Sequence, residues 1–394
     1  RIRESEAVKK GRAELFFDRQ GIVFRLSQMS DKKGFPLKRR LNFKTPNGNW
    51  INSDSSNIWA YEPEDFDIRV RYSAPKTTDL LGIRLLNRDG LGFFDKNREV
   101  ASRRAAWYSA ATILQRAIAL ELDIDSTEIE IASVHKYKSE EQEGAELYLA
   151  DEHPNGAGLV EWALENWDEV IQGVLDASGS YKQLGQFMLQ ECDRNKAGES
   201  WRSPDLLLKG FRNRQLHGLL DWRLGLELLA CARDPSYLPG VSIDSGILQT
   251  DLDQSWIDIA KKLSDSLEKT YLKDQRAKRV SNHEEWLQGV IYYSDGECNC
   301  DLVVHPLWEY ARNGTDRISD AITEFQESHQ EIETLYLLDS FNLTRRLSWV
   351  RGSKDLFERH IFQIVQKNTD INDYNANGSV NEIDVFTINE GNLF

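Results

Sequence analysis

The sequence predicts an α+β fold: a small mixed sheet packed by helices, with a strand-rich N-terminal part and a helical C-terminal extension. Three observations carry this. From Asp67 the run IRVRYSAPKTTDLLGIRLL alternates apolar and polar residues, as half-buried strands do. Residues 103–122, RRAAWYSAATILQRAIALEL, place Ala, Leu and Ile at helical spacing with little polar surface in the middle, the pattern of a core helix. Residues 216–232 are the richest apolar stretch, interrupted at helical spacing by Asp221, Arg223 and Glu227, and predict a second buried helix.

Residues 1–66 form the strand-rich part. LFFDRQGIVFRL reads as extended chain, and Asn47-Gly48 is a hairpin signal. The basic run at residues 38–44, KRRLNFK, fits a solvated edge strand. Residues 67–235 make a central module. Its helix 103–122 is followed by a strand entered through a turn, with Ile124, Ile129, Ile131 and Val134. A second strand at 145–151 breaks into a loop where Pro154 and Asn155-Gly156 set a turn. Gly158 lets the next helix approach, and Asp151 caps or braces backbone N–H groups. A helix follows at 161–177. Residues 236–394 are the extension, entered through the linker after Asp234-Pro235, with a helix at 252–278 rich in i,i+4 charge pairs and an Asn/Asp-rich tail. The expected core includes Trp107, Ile113, Leu114, Ile118, Leu219, Leu220, Leu226 and Leu229, and helix content is expected to exceed strand content.

At 394 residues, 40% hydrophobic and 29% charged, the chain has the makeup of a globular protein of two or three packed units. No run of 18 apolar residues occurs, so no membrane span or membrane partner is expected. A net charge of -15 argues against a sequence-independent DNA clamp. The cysteines Cys192, Cys231, Cys298 and Cys300 are too scattered for a disulfide framework, and a reducing, cytoplasmic setting is expected. The chain opens on RIRESEAVKK, which reads as internal to a longer polypeptide or as a trimmed start.

The stretch WRSPDLLLKGFRNRQLHGLLDWRLGLELLAC, residues 201–231, holds Leu207, Phe211, Asn213, His217, Leu220, Asp221 and Trp222 in one order. With Lys76 and Thr77 (Thr78 standing before Asp79), the Ala-rich helix, Asp151 and the loop Pro154 to Gly158, it resembles the MrfA-like zinc-binding domain family. That family occurs in large bacterial superfamily-two helicases and their partner subunits, and the resemblance covers residues 70–235. In the family pattern Ser203 and Leu206 stand where cysteines bind zinc. Leucine cannot ligate a metal and a serine hydroxyl is a poor zinc ligand at neutral pH. Cys192 resembles the first cysteine of that cluster. The resemblance therefore implies a kept scaffold, a lost zinc site and no cofactor in this chain. DLVVHPLWEYARN and LDSFNLTRRLSWVRG resemble the C-terminal segment of Druantia-like defence helicases. Together these resemblances imply a non-catalytic C-terminal module of a DNA helicase or translocase in antiphage defence, which positions nucleic acid and docks partner subunits. The alternative is a separate adaptor subunit, as in DISARM-like systems.

No phosphate loop GxxxxGK[ST] is present, so ATP is expected only on an upstream or partner helicase core. Asn213, His217 and Asp221 are spaced by four and would share one helix face. They form either a structural network in which Asp221 orients His217 and Asn213 caps a loop, or a polar row that with Asp151 and His153 would serve a hydrolase. Cys298, Cys300 and His305 offer three zinc ligands on a loop without a fourth. Asp373, Asn375, Asn377, Gly378, Ser379, Asn381 and Asp384 match the ligand spacing of a calcium loop. Two basic-aromatic segments are nucleic-acid candidates: Lys209, Arg212 and Arg214 around Phe211, and Arg345, Arg346, Trp349, Arg351 and Lys354.

Overall fold

A computed structural model of the chain describes residues 7–26, 35–36, 42–44, 50–52, 69–70, 73–85, 94–95, 98–99, 101–138, 143–175, 208–241, 256–271, 277–294, 296–308, 310, 316–350 and 363–366. Five strands build the first sheet: β1 (Val8–Lys10), β2 (Ala13–Leu26), β7 (Ser73–Leu85), β10 (Ile129–Lys138) and β11 (Glu143–Asp151). Their order is β1-β2-β7-β11-β10, antiparallel throughout. Between β2 and β7 lie β3 (Phe35–Pro36), β4 (Asn42–Lys44), β5 (Trp50–Asn52) and β6 (Arg69–Val70), and β8 (Phe94–Asp95) and β9 (Arg98–Glu99) come after β7. β4 pairs with β5, Lys44 opposite Trp50, which is the hairpin that Asn47-Gly48 signals. β1 and β2 join the sheet of β7, so this sheet draws on both sides of the expected 66/67 boundary.

One face of the sheet is covered by α1 (Ala101–Glu121) and α2 (Leu159–Glu165), with α3 (Trp167–Leu175) and α4 (Trp222–Arg233) packed on α1. Leu15, Leu81, Ile83, Leu147 and Leu149 meet Trp107, Ile113, Leu114 and Ile118 of α1 and Leu226 and Leu229 of α4 in one cluster. Of the expected core residues only Leu219 is partly buried; it packs against the same cluster. α1 and α4 touch closely because position 225 is glycine: a Cβ there would lie 2.7 Å from Ile113 Cδ1 and 2.9 Å from Ser109 Cβ.

The expected helical extension holds, beside α5 (Trp256–Thr270), α6 (Arg317–Ser328) and α7 (Ser340–Val350), a second five-stranded sheet. Its strands are β12 (Lys278–Ser281), β13 (Gln288–Ser294), β14 (Glu297–Val304), β15 (Thr334–Asp339) and β16 (Gln363–Gln366), paired in that order. β14 and β15 are parallel, joined through α6, and the other pairs are antiparallel, so this is the mixed sheet. β14 is buried from Cys298 to Val304, and a strand covered on both faces loses the alternation by which strands are recognised. Among the described residues strands hold about as much chain as helices, because this sheet was hidden in the sequence.

Burial of charge gives the core a pH dependence. Glu227 on α4 is buried, with the Tyr237 hydroxyl donating to Oε2 at 2.5 Å, and burial pushes its carboxyl up to about 7. The unfolded chain releases that proton near 4.5, so between these values the folded state binds more protons and stability falls as pH rises. We expect Glu227→Gln to flatten the decline by about 1.4 kcal/mol per pH unit between pH ~5 and ~7, measured by denaturant unfolding. An unchanged slope would exclude Glu227 as its source.

Candidate functional site

The motif residues of the central module meet at one end of the first sheet, where β7 begins and β11 ends. Asp151, fully buried, ends β11 and accepts three backbone N–H groups: Ala157 at 2.6 Å and Leu159 at 3.2 Å on Oδ2, Val160 at 3.0 Å on Oδ1. Two of those donors open α2, so the carboxylate satisfies a helix start whose cap residue, Gly158, has no side chain. Asn155 (φ 66), Gly156 (φ 80) and Gly158 (φ 77) supply the left-handed turns that fold the loop back. Asp79 on β7 lies under Gly156 and accepts Gly158 N–H at 3.2 Å. Burial, and Asp151 beside it, hold the Asp79 carboxyl above the usual carboxylate range.

β7 fastens the rest of the loop. Lys76 Nζ donates to Glu130 (2.7 Å) and to the carbonyls of Asp151 (2.9 Å) and Glu152 (3.2 Å). Thr78 Oγ1 lies 2.9 Å from Asp151 O and 2.8 Å from His153 O, and Asn155 N–H donates to Thr77 O at 2.8 Å. Beside this knot opens a cleft of about 440 Å³ lined by Arg19, Gln20, Thr77, Asp79, Asn155 and Glu161, among others. Arg19 is ion-paired with Glu161. Arg19 and Glu161 carry no pattern in the sequence: only the fold brings them together.

On the far side of the loop stands a second feature. The row Asn213, His217, Asp221 does not share a helix face, because the helix starts later than expected. Phe211–Leu216 is a tight 3-10 turn with Asn213 off helical geometry (φ -111, ψ 23), and Asp221 is the N-cap of α4, accepting Leu224 N–H at 3.3 Å. His217 Nε2 instead lies 3.0 Å from both Gly210 O and Asn213 Oδ1, and Asn213 ties Gly210 N–H (2.8 Å) and Leu208 O (2.8 Å). This network pins a loop that displays Phe211 at 78% exposure with the Arg214 guanidinium 4.4 Å from its ring centre. Arg212 donates to Thr127 O at 3.3 Å and lies 3.8 Å from Glu152, so the loop adjoins the Asp151 knot; Lys209 is half-buried.

Arg345, on the exposed side of its helix, also bonds within the protein. It donates to Gly218 O (3.0 Å) and Leu220 O (2.9 Å), approaches Asp221 at 3.5 Å and stacks on Phe341 at 4.6 Å. Arg346 and Trp349 lie on α7; Arg351 and Lys354 lie outside the described residues, as do Cys192, Ser203, Leu206 and the calcium-loop candidates Asp373, Asn375, Asn377 and Asp384. Cys298 and Cys300 are not on a loop, and His305 directly follows the strand that holds them. The cysteines are buried in β14, and His305 is held among Trp256 and Trp308, its Nδ1 accepting Leu307 N–H at 3.2 Å. Burial lowers the His305 imidazole to about 3. Cys300 and His305 are roughly 16 Å apart along extended chain, and among the described residues no group of three His, Cys, Asp or Glu could hold a metal. Asp151 is fully buried and already accepts three backbone N–H groups, while His153 is exposed, so the two are not presented together to one cleft. No helix among the described residues is long and apolar enough to cross a membrane.

The first module is thus an antiparallel sheet under an Ala-rich helix, with a carboxylate-pinned loop and a pinned aromatic turn. Residues 110–194 match the family described as the MrfA Zn-binding domain. Among solved structures the chain is similar to the crystal structure of the DUF1998 helicase MrfA bound to DNA, at 14% identity with a TM-score of 0.26. The aligned part covers 46% of this chain and 21% of that one, so the chain spans about a fifth of that helicase. A comparison with curated proteins found no match.

Proposed function

We propose that this chain is a non-catalytic, helicase-associated module that holds nucleic acid beside a motor and docks partner subunits in an antiphage defence system. The family match over residues 110–194 carries this reading. The pinned turn supports a nucleic-acid contact: an exposed ring backed by Arg214, with Arg212 and Lys209 alongside, suits base stacking with phosphate contact. Arg346, Trp349, Arg351 and Lys354 are a second proposed contact. A separate adaptor subunit that binds a defence helicase is the other form of the same proposal, in a cytoplasmic setting.

Phe211→Ala is expected to weaken binding of a fluorescein-labelled oligothymidylate about tenfold, since one base–aromatic stack contributes ~1–3 kcal/mol. Melting should stay unchanged, because the ring is exposed. Equal affinity of both proteins would remove this contact. We propose further that the family's zinc site is lost, on the identities of Ser203 and Leu206. Elemental analysis of purified protein should then find well under one zinc per chain, and a full equivalent would show that other residues replace those ligands.

A further inference from the structure

The β2–β7 ribbon runs past the helices that cover the first sheet. α2 begins beside Asp79, and its buried residues Val160 and Ala163 join the cluster of Leu81 and Ile83. On the same face of β7, two and four residues before Asp79, Thr77 and Pro75 are exposed. β2 has a bulge between Asp18 and Gly21, which slips the register by one residue. Ile22 thereby pairs with Thr77 and Phe24 with Pro75, turning both side chains to the helix-side face, while Val23 turns to a small cluster with Leu80 and Ala150 behind the sheet. Beyond the helices no described residue caps that face: Ile22 is 56% and Phe24 61% exposed. Two large apolar side chains side by side in water are the informative kind of exposure.

The shelf leads into the cleft. Positions two apart on a strand are roughly 7 Å apart, so Asp79, the Ile22/Thr77 pair and the Phe24/Pro75 pair form three evenly spaced stations. The first station is anionic. Asp79 and Glu161 face one guanidinium, Arg19, which is already paired with Glu161. Buried Asp79 has one backbone N–H donor and no cation in contact among the described residues. That charge disfavours a phosphate backbone and favours a cation.

We propose that this surface docks an extended segment of a partner protein that carries an arginine or lysine followed, at every second position, by apolar side chains. The cation enters the cleft toward Asp79 and the apolar side chains lie on Ile22 and Phe24, the spacing of an extended peptide matching that of the shelf. This site is separate from the Phe211 turn and does not depend on it.

The test uses the full chain and short fluorescein-labelled peptides, Arg-Thr-Val-Thr-Phe-Thr and its reversed order, each with a version in which Glu replaces Arg. One Arg peptide is expected to bind and its Glu version to bind at least about tenfold more weakly, as a lost charge-assisted pair implies. Ile22→Ser with Phe24→Ser should weaken the Arg peptide about tenfold at unchanged melting temperature, and Asp79→Asn should abolish the preference of Arg over Glu. Phe211→Ala should leave peptide binding as it is. The proposal is overturned if neither Arg peptide binds, if Arg and Glu peptides bind alike, or if the Ile22/Phe24 variant binds like wild type. Self-association that the Ile22/Phe24 variant abolishes would also overturn it, in favour of a second copy as occupant.

Discussion

Replacing Asp151 with alanine is expected to lower the thermal midpoint by about 10 °C, on the order of 4 kcal/mol spread over a domain of this size. The carboxylate is buried and receives Ala157, Leu159 and Val160 N–H. Alanine leaves those three donors without their acceptor, and each orphaned buried donor costs ~1–3 kcal/mol. Asp151→Asn keeps one acceptor oxygen and should fall about midway. Amide exchange at residues 157–160 should accelerate before the rest of the sheet responds. A drop below about 2 °C for alanine would mean that the loop does not depend on its carboxylate.

The second large effect lies at Arg103, near the start of α1. It is 1% exposed and donates to Pro306 O (3.3 Å) and Trp308 O (3.1 Å); burial raises the carboxyl of Asp339, and the hydrogen bonds from Asn342 and the charge of Arg103 offset part of that. α1 belongs to the first core and Trp308 to the second, so this guanidinium fastens the two clusters to each other. Arg103→Met preserves bulk but leaves the Pro306 and Trp308 carbonyls without their donor, at ~1–3 kcal/mol for each buried group left unsatisfied. Calorimetry should show the midpoint fall and one transition resolve into two, one per core. A single transition at the wild-type midpoint would show that the clusters are held by apolar contact alone.

Where one face of an element is buried and the other wet, the sequence was easy to read. The helix expected at 103–122 is Ala101–Glu121, and the strands ending at Asp151 and running through Leu81 and Ile83 are where alternation puts them. The Asp151 to Gly158 turn was legible because Pro, Asn and Gly each restrict the backbone in a known way. Three things were not legible. The second sheet is buried on both faces at β14, so CNCDLVV showed no period and its cysteines passed for ligands on a loop. The start of α4 was placed too early, because Leu216, Leu219 and Leu220 continue the helical apolar pattern through a stretch that Asn213 and the Asp221 cap hold outside the helix. Arg345 looked free because its partners Gly218 and Leu220 offer only carbonyl oxygens, which every residue has. Of the candidate site, the motif residues were visible, but the cleft was not. Arg19, Asp79 and Glu161 come from three separate elements, and the bulge that presents Ile22 and Phe24 leaves no mark in composition.

The most direct test of the central claim is to recover the native product from its source cells with an antibody to this chain and assay the recovered material for DNA-stimulated ATPase. A helicase-associated module should bring that activity with it, either on its own longer polypeptide or on a tightly bound partner. Recovery of a chain of about 45.4 kDa with no such ATPase, at full yield and under mild salt, would contradict it.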